Sequence, residues 1–172
     1  MTGNGRVPVI SIVGKSGVGK TTALERVIRE IKRRGYKVGT VKHDTHGFDV
    51  DRPGKDSWRH AKAGSDAVVI SGPRKMALIR QLESEIPLDD IVPLMGDLDL
   101  IITEGYKKGD KPKIEITRRE RGTKLLCRSD ELIGIMADYL VDMPVPQFAL
   151  EDAAGVVDLL ETLYLRKVRQ PR

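Results

Sequence analysis

The chain has little of several things from which functional sites are often built. A single cysteine, Cys127, in 172 residues excludes an intrachain disulfide and any thiolate-rich zinc centre. Aromatic residues make up 4% of the chain, too few for the stacking platforms that hold single-stranded nucleic acid. Asn4 is the sole asparagine, so the guanine-reading tetrapeptide N-K-x-D is absent. No apolar run approaches the ~18 residues of a membrane-spanning helix, and the N-terminus lacks the apolar stretch of a signal peptide. A soluble, cytoplasmic protein is expected.

What is present is ordinary for a globular domain, with 40% hydrophobic and 32% charged residues. The length predicts one domain over residues 1–172, large enough for a hydrophobic core. A net charge of +5 favours anionic partners: nucleotides, phosphorylated small molecules or nucleic acid. The basic tail with Arg166, Lys167 and Arg169 reads better as a solvated helix end, where cations suit the dipole, than as a nucleic-acid site.

Short β-branched runs alternate with helical periodicity. "VPVISIV" (7–13), "YKVGTVK" (36–42), "DAVVISG" (66–72), "KMALIRQL" (75–82), "LDLIITEG" (98–105), "KPKIEI" (111–116) and "ELIGIMAD" (131–138) read as strands. Residues 21–34, 56–62, 88–95 and 151–168 read as helices, the first stopped by Gly35. This alternation predicts an α/β fold of the P-loop NTPase type, a doubly wound, mainly parallel sheet with helices on both faces.

Between the first strand and the first helix stands Gly14-Lys15-Ser16-Gly17-Val18-Gly19-Lys20-Thr21, which matches G-x-x-x-x-G-K-[ST]. Such glycines let the backbone curl until its N–H groups face one anion, and the helix adds its N-terminal partial charge. Lys20 is placed for the β/γ-phosphates, the Thr21 hydroxyl for Mg²⁺, and Thr22 for the α-phosphate. Lys15 admits two readings: a lysine reaching a partner's nucleotide, as in deviant P-loops, or a solvated surface lysine.

In "LDLIITEGYKKG", Glu104 falls at the C-terminal end of a buried strand, where P-loop proteins deliver a carboxylate beside Mg²⁺. The competing reading is a carboxylate paired with a nearby lysine. Asp99, at the other end of that strand, reads as structural. Asp138 is either an acceptor for guanine N–H groups or a capping or surface aspartate. The physics of these residues does not choose GTP over ATP.

All three histidines fall within residues 39–64. Zinc needs three or four ligands, and His43, Asp44 and His46 are joined by no cysteine, with His60 on a helix beyond. A phosphate-handling loop fits better: Lys42, His43 and Lys55 to meet phosphate, Asp44 or Asp51 to hold Mg²⁺ or position water. A purely structural loop remains the alternative.

"GKSGVGKTT", "TVKHDTHGFDVDRPGKDSWRHAKAGSDAVVISGPRKMAL", "DLDLIITEGYKKGDKPKIEI" and "ELIGIMAD", in this order, resemble the molybdopterin-guanine dinucleotide biosynthesis protein B (MobB) family over about residues 7–160. The resemblance implies a GTP-binding accessory protein of molybdenum cofactor biosynthesis with weak Mg²⁺-dependent GTPase activity. It implies a homodimer working beside the guanylyltransferase that attaches GMP to molybdopterin, with a molybdopterin-type ligand as a further partner. By the same resemblance, residues 14–22 hold the phosphates, with Lys42, His43, Asp51, Lys55, Asp56 and Glu104 lining the cleft. Lys20, Glu104 and Asp44 are the candidates for catalysis, Thr21 and Glu104 those for Mg²⁺. Arg52, Arg59 and Arg74 lie in regions from which an arginine finger could come, though none is singled out. The rival classes are a small-molecule P-loop kinase, for which the connections are short, and a non-catalytic nucleotide or pterin carrier.

Overall fold

A computed structural model describes residues 7–45 and 47–165. His46 and the basic tail cations Arg166, Lys167 and Arg169 lie outside the described residues. In chain order the elements are β1 (Val9–Val13), α1 (Lys20–Arg33), β2 (Val38–Lys42), α2 (Asp56–Lys62), β3 (Ala67–Gly72), β4 (Lys75–Arg80), α3 (Leu88–Ile91), β5 (Leu100–Glu104), β6 (Lys113–Thr117), β7 (Leu132–Ala137), β8 (Gln147–Phe148) and α4 (Ala153–Leu160). They divide into two compact units: the chain up to His43 together with everything from Val92, and the segment Asp44–Ile91.

The first unit is built on six parallel strands in the order β2-β5-β1-β6-β7-β8. The chain leaves β1 in one direction to build β2 and β5, then crosses to the other side for β6, β7 and β8. The order therefore reverses beside β1, and open α/β sheets bind ligands at the C-terminal ends of strands at such a point.

Strand alternation sends Ile10 and Ile12 of β1, Leu100 and Ile102 of β5, and Ile114 and Ile116 of β6 to one face. There they meet Leu24, Val27 and Ile31, spaced three and four apart on α1, and Val156, Val157 and Leu160 of α4. Asp152 caps α4 by accepting the Gly155 N–H at 2.9 Å. The end of α1 is tied to α4 by Arg34, whose guanidinium bonds Glu30, Asp158, Glu161 and the Ala154 carbonyl. The expected C-terminal helix runs as α4 and then a π-helical turn, Glu161–Leu165.

The opposite face carries polar side chains that are nonetheless buried. Ser11 and Thr103 share a 2.8 Å hydroxyl bond. The Lys113 ammonium donates to Glu131 and to the Gly109 carbonyl, and Glu115 accepts the N–H groups of Leu126 and Cys127. Each of these four buried side chains thus has the partner that burial demands. Toward β2 this face is covered by the 3₁₀ turn Val92–Met95, with Met95 and Leu98 so close that a Cβ on Gly39 would lie 2.5 Å from Leu98. Asp99 is structural, as expected: its carboxylate accepts the Lys37 N–H at 2.7 Å.

The second unit holds α2 and the antiparallel pair β3–β4, registered Ala67 to Arg80 through Gly72 to Lys75. Reading β3 and β4 as strands was right, but they form a hairpin of their own and do not extend the parallel alternation. The physical reason is the connection. Only Pro73 and Arg74 lie between them, and a parallel crossover needs about a dozen residues or more.

Candidate nucleotide-phosphate site

The loop between β1 and α1 has the shape its glycines permit. Gly14, Gly17 and Gly19 have φ of +156°, +75° and +90°, values that side chains with a Cβ resist. At Gly14 a Cβ would stand 2.4 Å from the Ile116 carbonyl oxygen, so the loop packs directly on β6. Gly19 is the N-cap of α1 and supplies no side chain, so the helix presents its first N–H groups from a bare backbone.

Lys20 folds back along this loop, its ammonium donating to Lys15 O at 2.9 Å and Gly14 O at 3.2 Å. Burial pushes its pKa below the ordinary lysine value; the Glu104 carboxylate opposes that shift and the Lys107 charge adds to it. The Thr21 hydroxyl donates to Glu104 Oε1 at 3.0 Å, joining the start of α1 to the end of β5. A hydroxyl and a carboxylate are hard oxygen donors, and this pair fits Mg²⁺ in its chemistry. Ser16, Val18 and Thr22 complete the loop and first helical turn as expected.

Beside them, Lys42 ends β2 in register with Glu104. The His43 N–H donates to the Glu104 carbonyl at 3.0 Å, and its imidazole stacks on Tyr106, ring centroids 4.3 Å apart. Gly105 makes that approach possible, since a Cβ there would lie 3.1 Å from His43 Cβ. Tyr106 itself adopts a φ of +50°. The structure thus brings residues 14–22, Lys42, His43 and Glu104 to one edge of the sheet.

The remaining candidates belong to the second unit and are placed within it. Asp51 accepts Ser57 Oγ at 2.9 Å and Arg52 N at 2.8 Å, Lys55 is the N-cap of α2, and Asp56 opens that helix. Asp44 begins the unit. Among the described residues no group of three or more His, Cys, Asp or Glu is placed to hold a metal ion.

Sequence reasoning missed the segment "RRERG" (118–122) after β6. Arg118 donates from Nε to the Val18 carbonyl at 2.9 Å, and the Arg121 guanidinium lies against Gly17, 3.1 Å from where its Cβ would be. Lys15 reaches the turn that follows β6. Its ammonium donates to the carbonyls of Arg121 and Gly122 at 3.1 and 3.2 Å. Asp138 is followed by no helix; its carboxylate accepts the Arg119 N–H at 2.9 Å, tying the end of β7 to the turn after β6. A basic run directly after a strand at the ligand-binding edge was the signal available.

Residues 9–138 match the family described as molybdopterin guanine dinucleotide synthesis protein B, MobB. The chain belongs to the MobB family. Among MobB-family relatives, the molybdopterin-guanine dinucleotide biosynthesis adapter protein of Haemophilus influenzae is 32% identical over 161 residues, covering 92% of this chain and 90% of that one. The protein of the same description from Escherichia coli is 31% identical, covering 93% and 95%. A crystal structure of molybdopterin-guanine biosynthesis protein B superposes with a TM-score of 0.70 at 28% identity, covering 90% of this chain and 99% of that one. The family's α/β fold is therefore this chain's fold, and no helix among the described residues is long and apolar enough to cross a membrane.

Proposed function

We propose that this chain is a GTP-binding accessory protein of molybdopterin-guanine dinucleotide biosynthesis that hydrolyses GTP slowly with Mg²⁺. The observation that carries the reading is the phosphate loop itself, with Lys20 laid along it and Thr21 bonded to Glu104 at the head of α1. The names of the relatives supply the pathway.

Thr21 and Glu104 would hold Mg²⁺, which supplies charge neutralisation on the phosphate oxygens. The rest falls to the chain's own groups. The backbone N–H groups of residues 14–19 and the α1 N-terminus bind the phosphates, and Lys20 stabilises charge that grows on the β/γ oxygens. Lys42 and His43 border the site, and Asp44, Asp51, Lys55 and Asp56 are assigned to nucleotide binding in this reading. Asp44 is the candidate to orient the attacking water.

We assign the guanylyltransferase and other cofactor-maturation proteins as partners, with a molybdopterin-type ligand passing between them. A homodimer is supported by the β3–β4 hairpin, one face of which exposes Val69, Met76 and Leu78, an apolar surface of the kind that seeks a second copy.

Phosphate release from GTP tests the catalytic part. Slow Mg²⁺-dependent release is expected, lowered at least ~10-fold in Thr21→Ala, since loss of a metal-positioning group typically costs that much. Unchanged GTP would support the non-catalytic carrier, and transfer to an acceptor would support the kinase.

A further inference from the structure

Lys15, Lys20, Arg118 and Arg121 all bear on the six-residue loop Gly14–Gly19. Lys20 touches it through Gly14 O and Lys15 O, and Arg118 through Val18 O. Arg121 lies flat against Gly17, with its Cζ 3.2 Å and Nη2 3.1 Å from an ideal Cβ there. Glu104 faces Lys20, and Glu120 Oε1 lies 3.9 Å from Arg121 Nε; two single carboxylates leave four cations around one short loop in excess, a balance that suits an anion of several charges.

The turn that brings the arginines is fixed at several points. At one end Arg118 Nε holds Val18 O at 2.9 Å; at the other, Lys15 Nζ holds the Arg121 and Gly122 carbonyls. Between them the Arg119 N–H is held by Asp138, and the Arg119 guanidinium lies over the Tyr139 ring, 5.1 Å from its centroid. The backbone is thus docked on the phosphate loop while the side chains keep donors to offer. A guanidinium has five N–H donors, and Nε accounts for one at Arg118.

We propose that residues 118–122 form an arginine clamp supplied in cis to the nucleotide, with Arg121 pairing the terminal phosphates and Arg118 the phosphate nearest the sugar. This rests on the nucleotide reading above and deepens it. The assignment of ends follows from the cleft that Arg118 shares with Thr22, Arg26 and Leu150, about 70 Å³ in volume. Thr22 marks the α-phosphate end of a loop of this type, and Arg121 stands against Gly17, further back along it. Planar guanidinium groups pair phosphate oxygens bidentately, which a lysine ammonium cannot.

The test is calorimetric affinity for Mg²⁺-GTP and Mg²⁺-GDP in the 172-residue chain, its Arg118→Ala, Arg121→Ala and Arg121→Lys variants, and Lys20→Ala. Arg121→Ala is expected to weaken GTP by about tenfold or more and GDP markedly less, with Arg121→Lys recovering part of the loss. Arg118→Ala is expected to weaken GTP and GDP alike by about tenfold. GTP and GDP affinities within about twofold of wild type in both arginine variants, with Lys20→Ala still deficient, would overturn the clamp and leave the nucleotide reading intact. Absence of binding in the wild type would overturn both. Should Arg118→Ala fail to fold, the Arg121 pair decides, because that side chain is 53% exposed and its loss leaves the core untouched.

Discussion

Lys20 shows how one residue serves both the fold and the ligand. Its ammonium satisfies two loop carbonyls and is held in a partly buried place that disfavours its charge. A polyphosphate beside it favours that charge, so binding draws the pKa back up. The sign follows: with the free-state pKa depressed and the bound-state pKa raised, nucleotide binding takes up a proton in the alkaline range between them. Affinity is therefore full below the depressed value and falls as pH rises through it. Titrations carried upward through the alkaline range below the ordinary lysine value, in buffers of different ionisation enthalpy, should show proton uptake and a falling affinity. Proton uptake that persists in Lys20→Ala would assign the effect to another group.

At the scale of elements, α1 is the piece on which the site depends, because it carries Lys20, Thr21 and Thr22 in its first turn. Its far end is anchored to α4 by Arg34, and the same contacts hold Glu30 at a pKa of about 2, chiefly through its bonds to Arg33 and Arg34. Arg34→Ala should lower stability by about 2 kcal/mol in urea denaturation, as charged hydrogen bonds to Glu30, Glu161 and Asp158 are lost together. Arg34→Lys should recover only part, lacking the planar fork. A stability loss under about 0.5 kcal/mol would mean the contacts are ordinary surface pairs.

Elements whose pattern is local were legible in advance. The β-branched run of β1, the spacing of Leu24, Val27 and Ile31, and the phosphate loop each declare themselves within a dozen residues. β6 was harder to read. "KIEIT" alternates like a half-exposed strand, yet Lys113 and Glu115 are buried, because Glu131 and the Leu126 and Cys127 N–H groups reach them from elsewhere in the chain. The arginines after β6 were missed for the same reason. Their approach to Gly17 and Val18 is a long-range contact that periodicity does not report. The place of β3 and β4 outside the parallel sheet was legible in principle from their two-residue connection.

For the whole molecule, the topology places the phosphate loop, Glu104 and the arginine turn at one edge of a parallel sheet, and the second unit carries the remaining acidic and basic candidates. The phosphate loop thus lies on one part of the chain and an exposed apolar hairpin on another. The central claim is that the cradle takes a guanine nucleotide with Mg²⁺. Its most direct test is calorimetric titration of the protein with GTP and with ATP, each with and without Mg²⁺, against Lys20→Ala. GTP binding at least about tenfold tighter than ATP, dependent on Mg²⁺ and lost in the variant, is the predicted result. Equal or tighter binding of ATP, or GTP affinity that survives in Lys20→Ala, would contradict it.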